Sequence, residues 1–434
     1  YRTYLEEKIS LEKASSITGV PKEAMLELAR SYMESKPCAT WIGIGLQRHR
    51  NGGQNVRAID ALVALSGNLG LTGGGVYYQH IKTCFPSLLE NYAKDLSKPR
   101  QVNIIDFPRQ SLALKDPPVK FLWVACRNPL TQDPEPQLWT KLLEQLELTV
   151  TVDLFMTDMA RLSDLVLPAA SFFEDYDLHH SYWHNWVALN EKAIGPYYEA
   201  KSDLDIMRNL AERLNLLSHG FTSFPVDLFS LDWVAGELNE TVRHLLEVEK
   251  WQDFLSGPRK LKINGIPWQD EKFKTPSGKY ELYSELAKGK GLPALPVFRE
   301  SNEPSSPYPF RLLTPQCLLK LHCQFGGLPW LRTGGDEGLF IELNEAVAWS
   351  RGLKTGDKVK VFNASGAVRA RLKVNPFLPR QVVIMPQTSE INFSNRLIPN
   401  IYADMGEKNT RARGNAYYEA YVNVVKCQSG MEYD

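Results

Sequence analysis

The chain has 434 residues, 43% of them hydrophobic, and its 50 basic and 50 acidic residues cancel. That length and apolar content predict roughly two or three globular domains, and balanced charge without a long run of one sign excludes a nucleic-acid groove and favours a small or polar ligand. No apolar run approaches the ~20 residues that cross a bilayer, and the opening Tyr-Arg-Thr-Tyr-Leu-Glu-Glu lacks the basic and apolar regions of a signal peptide.

In chain order, Pro21 stands at a first helical position and is followed by Ala24, Met25, Leu28, Ala29 and Tyr32 on one face, which predicts a packed helix ended by Lys36-Pro37. Ala39-Thr-Trp-Ile42 forms a short strand, and the loop from Gly43 to Gly53 leads into a helix bearing Val56, Ile59, Leu62 and Val63. Gly70, Gly73, Gly74 and Gly75 break that helix, and an irregular surface excursion through Leu114 is expected from Pro86, Pro99 and Pro108. Strands at 120–126 and 148–152, with a helix near 135–146 whose Leu138, Leu142 and Leu146 share a face, give a parallel doubly wound α/β pattern. This first domain is expected to span 1–290. Pro293, Pro296, Pro304, Pro307 and Pro309 make 291–309 a linker where packed structure pauses.

Residues 310–434 change to short strands: Phe310–Thr314, Lys358–Phe362, Val368–Val374 and Val382–Met385. A short helix at Asn344–Ser350 is stopped by Arg351-Gly352, and Ser365-Gly366 turns a hairpin. Period-two alternation in the second and third strands predicts a β-barrel or a sandwich. Six scattered cysteines (Cys38, Cys84, Cys126, Cys317, Cys323, Cys427), none in a Cys-x-x-Cys pair, are expected to be free and mostly buried.

Ligands of an open parallel sheet sit outside the carboxyl ends of its strands. Here one end carries Arg127-Asn128-Pro129-Leu130 and the next Asp153-x-Phe155-x-Thr157, followed by Asp164-Leu-Val-Leu-Pro168-Ala-Ala170 and Glu174. Further pieces are Gly43-Ile-Gly45-Leu-Gln47-Arg48-His49-x-Asn51-Gly52, Ala64 to Gly75 around Gly67-Asn68, and Thr275-Pro276-Ser277-Gly278-Lys279. In this order they resemble the molybdopterin oxidoreductase family, molybdenum or tungsten enzymes that carry bis-molybdopterin guanine dinucleotide. The resemblance extends over nearly the whole chain. It implies an α/β domain holding one guanosine arm and a C-terminal barrel that closes over the pterins.

By that resemblance Asp153 accepts two hydrogen bonds from guanine, Asn128 presents its amide to the nucleotide, and Thr157 and Asp164 complete the pocket on one crevice edge. The plainer alternatives are a helix cap for Asp153, an Asx-turn for Asn128 and a strand-start residue for Asp164. Gly45, Gln47, Arg48 and His49 would meet the phosphates or sugar, against a solvated polar loop. His322 would face the pterins, against a lone satisfied histidine. Asn395, with Asp404 later, resembles the family's pterin-contacting asparagine segment, against an Asx-turn. Gly43-x-Gly45 lacks the third glycine of a dinucleotide fingerprint and no acidic residue follows at the right distance, so a nicotinamide cofactor is rejected. Asp175, Asp177, His179 and His180 look superficially like a metal site, but histidines adjacent in sequence do not face one ion from regular structure.

The family's closely spaced iron-sulfur cysteines and its metal-ligating side chain have no counterpart here. The chain is therefore expected to be the C-terminal part of a longer protein, with these features and any twin-arginine export signal preceding Tyr1. No metal ligand or catalytic residue is assigned, and the compartment stays open between cytoplasm and periplasm. The expected function is the cofactor-binding portion of an oxidoreductase that passes electrons or an oxygen atom to or from a small substrate, with electron-transfer subunits as partners. The alternatives are a non-catalytic cofactor carrier or assembly scaffold, and a plain nucleotide-binding module joined to a barrel that serves protein partners.

Overall fold

A computed structural model describes residues 1–78, 100–300, 305–317, 320–331, 339–387, 394–404 and 414–427. Near the start, β1 (Ala39–Trp41) and β2 (Gly75–Tyr77) pair in parallel. Between them run a 3-10 turn, Ile44–Arg48, and a helix, Gly52–Leu65, that buries Ala61 and Val63. Asn68, wholly buried, ties this unit together by accepting from the Cys38 amide and donating to the Tyr32 carbonyl, both at 2.9 Å. The preceding helix spans Lys22–Glu34, with Pro21 as its N-cap and not inside its first turn. Its predicted packed face is not packed: no residue of it is buried, and Leu28 is 57% exposed. The helix meets its neighbours through Tyr32, whose hydroxyl lies 2.6 Å from that of Thr40, so the rest of the apolar face finds no core.

The sheet that positions the site is β3 (Phe121–Ala125), β4 (Leu148–Asp153) and β5 (Leu165–Pro168), all parallel and in that spatial order. Parallel neighbours need crossovers, supplied by the helices Pro136–Leu143 and Asp158–Arg161. Trp139, Leu142 and Met159 bury against Val124 and Leu130, and Phe107 stacks on Trp139 at 5.3 Å. Trp139 thus takes the core position that the leucine spacing gave to Leu138. The stretch before Lys120 is more regular than expected, with a helix at Phe107–Ala113; Pro86 and Pro99 lie outside the described residues.

A third sheet was not foreseen. The antiparallel strands β6 (Asp177–Ser181), β7 (His184–Asn190) and β8 (Arg259–Lys260) pack Val187 against Leu238, Val242 and Leu246 of the helical segment beside them. Polar, histidine-rich strands carry no strong alternation, which is why the pattern did not announce them.

Between Gly289 and Phe310 no helix or strand forms among the described residues. The segment is nonetheless held down. Arg57 donates to the carbonyls of Pro293 and Ala294, both at 2.7 Å, Gln54 accepts from the Val297 amide, and Asn51 donates to the Arg299 carbonyl. Backbone groups without a ladder partner still need one, and here side chains of the Gly52 helix and its N-cap supply it.

The remaining strands, β9 (Phe310–Leu313), β10 (Phe340–Asn344), β11 (Lys358–Phe362), β12 (Ala367–Asn375), β13 (Val382–Ile384) and β14 (Ala420–Lys426), close into a barrel in the order β10-β12-β11-β14-β9-β13. Its interior is aliphatic, with Leu312, Ile341, Leu343, Val359, Val361, Leu372 and Val383 wholly buried. Removing one methylene there leaves a void that close packing cannot fill. Ile341→Val is expected to cost about 1 kcal/mol, seen as a lower urea midpoint at unchanged slope; an unchanged midpoint would show that this core collapses freely.

Candidate functional site

At the end of β3, Cys126 takes φ 55, a left-handed backbone uncommon outside glycine. Beyond that bend Arg127 ion-pairs with Asp133, and the buried Asn128 opens a short helix, Pro129–Gln132, by accepting from the Thr131 and Gln132 amides at 3.1 and 3.0 Å. Pro129 at the first helical position needs no amide partner. The Asn128 side chain makes no capping bond, and its Oδ1 is buried without a partner. The Asx-turn alternative is therefore not what this amide does. A buried acceptor left unpaired costs about 1–3 kcal/mol, and a polar ligand atom would relieve that cost.

At the end of β4, Asp153 accepts from the Phe155 amide and the Thr157 hydroxyl, both at 3.2 Å. Thr157 also caps the helix Asp158–Arg161 by accepting from the Ala160 amide at 3.3 Å. Capping is thus real for Thr157. The half-exposed Asp153 carboxylate, with about four acceptor positions, keeps capacity beyond the two it uses. Burial, then the charges of Asp203 and Asp153, push the Cys126 thiol up, which places these three groups around one end of the sheet.

Asp164 lies elsewhere. It precedes β5 and accepts from the Thr149 amide at 2.7 Å, at the amino end of the sheet, whereas Asp153 is opposite Pro168 at the carboxyl end. Four residues of strand, about 13 Å at ~3.3 Å per residue, separate the two edges. The expectation that Thr157 and Asp164 share a crevice edge is corrected: in Asp164-Leu-Val-Leu-Pro168 the aspartate begins a parallel strand, and such strands begin and end on opposite edges.

The barrel reaches this sheet and the Gly43–Gly53 loop. Tyr417 donates its hydroxyl to the Gln132 carbonyl at 3.0 Å, and Asn395 donates its amide to the Asp133 carbonyl at 3.1 Å. That amide hydrogen therefore holds the barrel to the Asn128–Asp133 turn, while the side chain keeps its second amide hydrogen and its carbonyl oxygen for the pterin contact that the resemblance implies. Gln47 accepts from the Tyr78 hydroxyl at 2.6 Å. Gly45 lies against Tyr418, with room for a Cβ at 3.9 Å, and the Arg48 guanidinium lies 5.5 and 5.7 Å from the ring centres of Tyr417 and Tyr418. His49 meets the buried Glu419 at 3.6 Å, which Arg311 approaches at 3.4 Å. Burial alone would raise the Glu419 carboxyl, but His49, Arg311, the Arg50 amide and Tyr421 outweigh it and hold the group below its usual range. Asp404 accepts from the Gly53 and Gln54 amides at 2.7 and 3.2 Å, a carboxylate on the helix's positive end.

His322 is exposed, with its ring nitrogens within 3.2 Å of Gln316 and Gln387 side chains. Its neighbour Cys323 accepts from Gln132 at 3.1 Å, and Gly327 presses on the Phe155 ring, where a Cβ would stand 2.8 Å away. This loop lies across both strand-end turns. The described cysteines are free, but none is buried and Cys126 is exposed, because Cys126 and Cys38 sit at strand ends and not within them; Cys84 lies outside the described residues.

Three residues have no role assigned from the sequence: Arg127, quoted there only as part of the strand-end motif, Asp133 and Tyr417. Burial pushes the Asp133 carboxyl up to about 6 against the pull of Arg127, and pushes the Tyr417 phenol, aided by Asp133 and opposed by Arg48 and Arg127, up to about 12. These groups share one interface. Their only sequence signal is position, flanking the Asn128-Pro129 pair and the entry to β14.

Residues 12–213 match the molybdopterin oxidoreductase family, and residues 310–414 match the molybdopterin dinucleotide-binding domain. The probable oxidoreductase YyaE of Bacillus subtilis is 32% identical, covering 84% of this chain and 54% of that protein. Dimethyl sulfoxide reductase DmsA of Escherichia coli is 27% identical, covering 86% of this chain and 51% of that protein. The chain spans little more than half the length of these curated relatives. Acetylene hydratase from Pelobacter acetylenicus shares the fold, with a TM-score of 0.74 at 19% identity over 98% of this chain and 68% of that one. No helix of the described residues is long and apolar enough to cross a membrane. A parallel sheet followed by a closed barrel, each carrying its own family match, gives the conclusion that this chain belongs to the molybdopterin oxidoreductase family.

Proposed function

We propose that this chain is the cofactor-holding portion of a molybdenum or tungsten oxidoreductase that passes electrons or an oxygen atom to or from a small substrate. The guanosine of a molybdopterin guanine dinucleotide is placed at the carboxyl ends of β3 and β4, against Asn128 and Asp153. The observation that carries this reading is the buried, unpartnered Oδ1 of Asn128 at the end of β3, beside a half-exposed carboxylate with acceptor capacity left. A carboxylate suits the ring N–H and 2-amino group of guanine because both donors point the same way. Thr157 holds the Asp153 carboxylate in place, and the His322 loop covers the crevice and limits water. Gln47 and Arg48 face the phosphate end. Asp164, at the other edge, has no part in the pocket.

The bound cofactor supplies metal and dithiolene sulfurs for redox chemistry, and the protein supplies binding and orientation. Electron-transfer subunits and the substrate belong to the whole protein. Calorimetric titration with GMP, AMP and free pterin tests the pocket. GMP is expected to bind at least about tenfold more tightly than AMP, the scale of one charge-assisted hydrogen-bond pair, and Asp153→Ala is expected to erase that preference. Equal affinity for the two purines, or a variant that still prefers GMP, would remove Asp153 from the guanine site.

A further inference from the structure

The two ends of the barrel are unlike. At one end Asn363 and Gly366 close the turn between β11 and β12, and Gln137 of the sheet's crossover helix donates to the Ser365 carbonyl there at 3.4 Å. That end faces the site. The other end is reached along β12, nine residues or about 30 Å of strand. There β10 and β12 finish side by side, Asn344 opposite Asn375, and β11 and β13 begin, because they run antiparallel to β12 and β10. Asn344 ties two connections of this far rim together. It accepts from the Val347 amide at 3.3 Å and donates to the Leu378 carbonyl at 2.7 Å.

Two aromatic side chains stand on this rim with almost nothing over them. Trp349, in the helix Glu345–Ser350, is 87% exposed, and Phe377, two residues past β12, is 92% exposed. The helix buries Ala348 against the barrel, so Trp349 lies off its packed side. Cations flank the pair. Lys354, Lys358 and Arg380 are exposed, and among the described residues none of them makes an ion pair. Thr355 brings Lys354 to the rim by accepting from the Val374 amide at 3.0 Å. Lys426 is balanced by Asp357 at 3.2 Å, and Arg351 is held by Asn423 and the Val424 carbonyl. Glu345 is the acidic residue set against the three unpaired cations. Because the whole chain carries no net charge, this excess is local to the rim.

A stable protein contact covers about 800 Å² on each partner, whereas an indole and a phenyl ring together offer only about 300–500 Å². A bilayer surface asks for less. Aromatic side chains settle at the level of its headgroups, and each lysine or arginine near an anionic leaflet adds about fivefold in affinity. Long basic side chains can keep their charge among lipid phosphates while their stems lie along apolar surface. We infer that the far rim of the barrel docks on an anionic lipid surface, with Trp349 and Phe377 entering the headgroup layer and Lys354, Lys358 and Arg380 meeting the phosphates. Such contact is peripheral and needs no membrane-crossing helix. It leaves the site-facing end of the barrel clear, and it is independent of the guanosine reading.

The test is co-sedimentation of the chain with vesicles of phosphatidylcholine alone and of equal parts phosphatidylcholine and phosphatidylglycerol. Binding to the anionic vesicles is expected to be about tenfold or more tighter, with a gain that shrinks as salt rises. Lys358→Gln and Arg380→Gln should each lose about fivefold of it. Trp349→Ala and Phe377→Ala should each weaken binding several-fold, and the emission of Trp349, read as parent minus Trp349→Phe, should move to the blue on the vesicles. Tyr198→Ala, as exposed an aromatic on the α/β part, and Lys115→Gln, an exposed cation there, should bind as the parent does. Equal binding to both vesicles, binding to neither, parent-like binding of both aromatic variants, or an equal loss in the two controls would each overturn the inference. A dimer in sedimentation velocity that Trp349→Ala abolishes, without vesicle binding, would give the rim to a protein contact and overturn it as well. Should Trp349→Ala lower the urea midpoint, Phe377→Ala and the emission shift decide.

Discussion

Gly52→Ala is expected to destabilise the chain by about 2 kcal/mol, the usual cost of forcing extra volume into a packed site, and to weaken diphosphate binding with it. Gly52 is the first residue of its helix, and a Cβ there would stand 2.5 Å from the Gln47 Cα, 2.7 Å from the Leu46 carbonyl oxygen and 2.9 Å from the Gln47 carbonyl carbon. All three are backbone atoms, so no side-chain rotation relieves the clash. Either the helix N-terminus or the 3-10 turn must move. The helix end is held by Asp404 through two amides, and the turn carries Gln47 and Arg48 against Tyr78, Tyr417 and Tyr418. The yielding of either one displaces Arg48 from its tyrosine faces. Gly195→Ala is the control, since a Cβ there meets nothing within 4 Å. Urea denaturation and GDP titration of both variants decide it. A Gly52→Ala chain as stable as the parent would show the turn to be slack, and stability lost without any change in GDP affinity would separate Arg48 from this packing.

The same region shows what a sequence can and cannot disclose. The strand ending in Asp153 and the hairpin of β11 and β12 are legible because local alternation or apolar runs match their burial, which in β12 runs exposed and buried by turns from Ala367 to Leu372. β14 alternates as well, with Ala420, Val422 and Val424 inward, but Tyr-Val-Asn-Val-Val is apolar on both faces and its pattern is blurred. Asp164 was misplaced because a motif gives order along the chain and not which edge of a sheet it reaches. The clamp is less legible still. Asn395 reaches Asp133 across 262 residues and Tyr417 reaches Gln132 across 285, and no local pattern encodes a partner at that distance. The helix Lys22–Glu34 makes the converse case: its amphipathic spacing is correct as a helix signal, yet spacing says only that a face is apolar, not that something covers it.

Asp133→Asn is expected to gain stability relative to the parent chain as pH rises, by about 2 kcal/mol between pH 4 and pH 7. Asp133 is 2% exposed, and burial raises its carboxyl from the usual 3.8 to about 6 in the folded chain. Between those two values the folded chain holds the proton that the unfolded chain has released. Stability therefore falls as pH climbs through this window, and above about 6 the full penalty of a buried, ionised carboxylate is present. Arg127 only partly offsets it: the ion pair uses Asp133 Oδ1, while Oδ2 is buried without a hydrogen-bond partner and so is Arg127 Nε. Asparagine has nearly the shape of the protonated acid and does not titrate, so other groups cancel in the difference between the two chains. The barrel clamp is unaffected to first order, because Asn395 binds the backbone carbonyl of residue 133 and not its side chain. Urea unfolding of both chains at several pH values between 4 and 7.5 gives the difference directly. A difference that does not change with pH would mean that Asp133 titrates alike in both states. A difference that moves against the variant as pH rises would mean that attraction to Arg127 exceeds the cost of burial, and that the pair is a net source of stability and not a charge retained for the geometry of the turn.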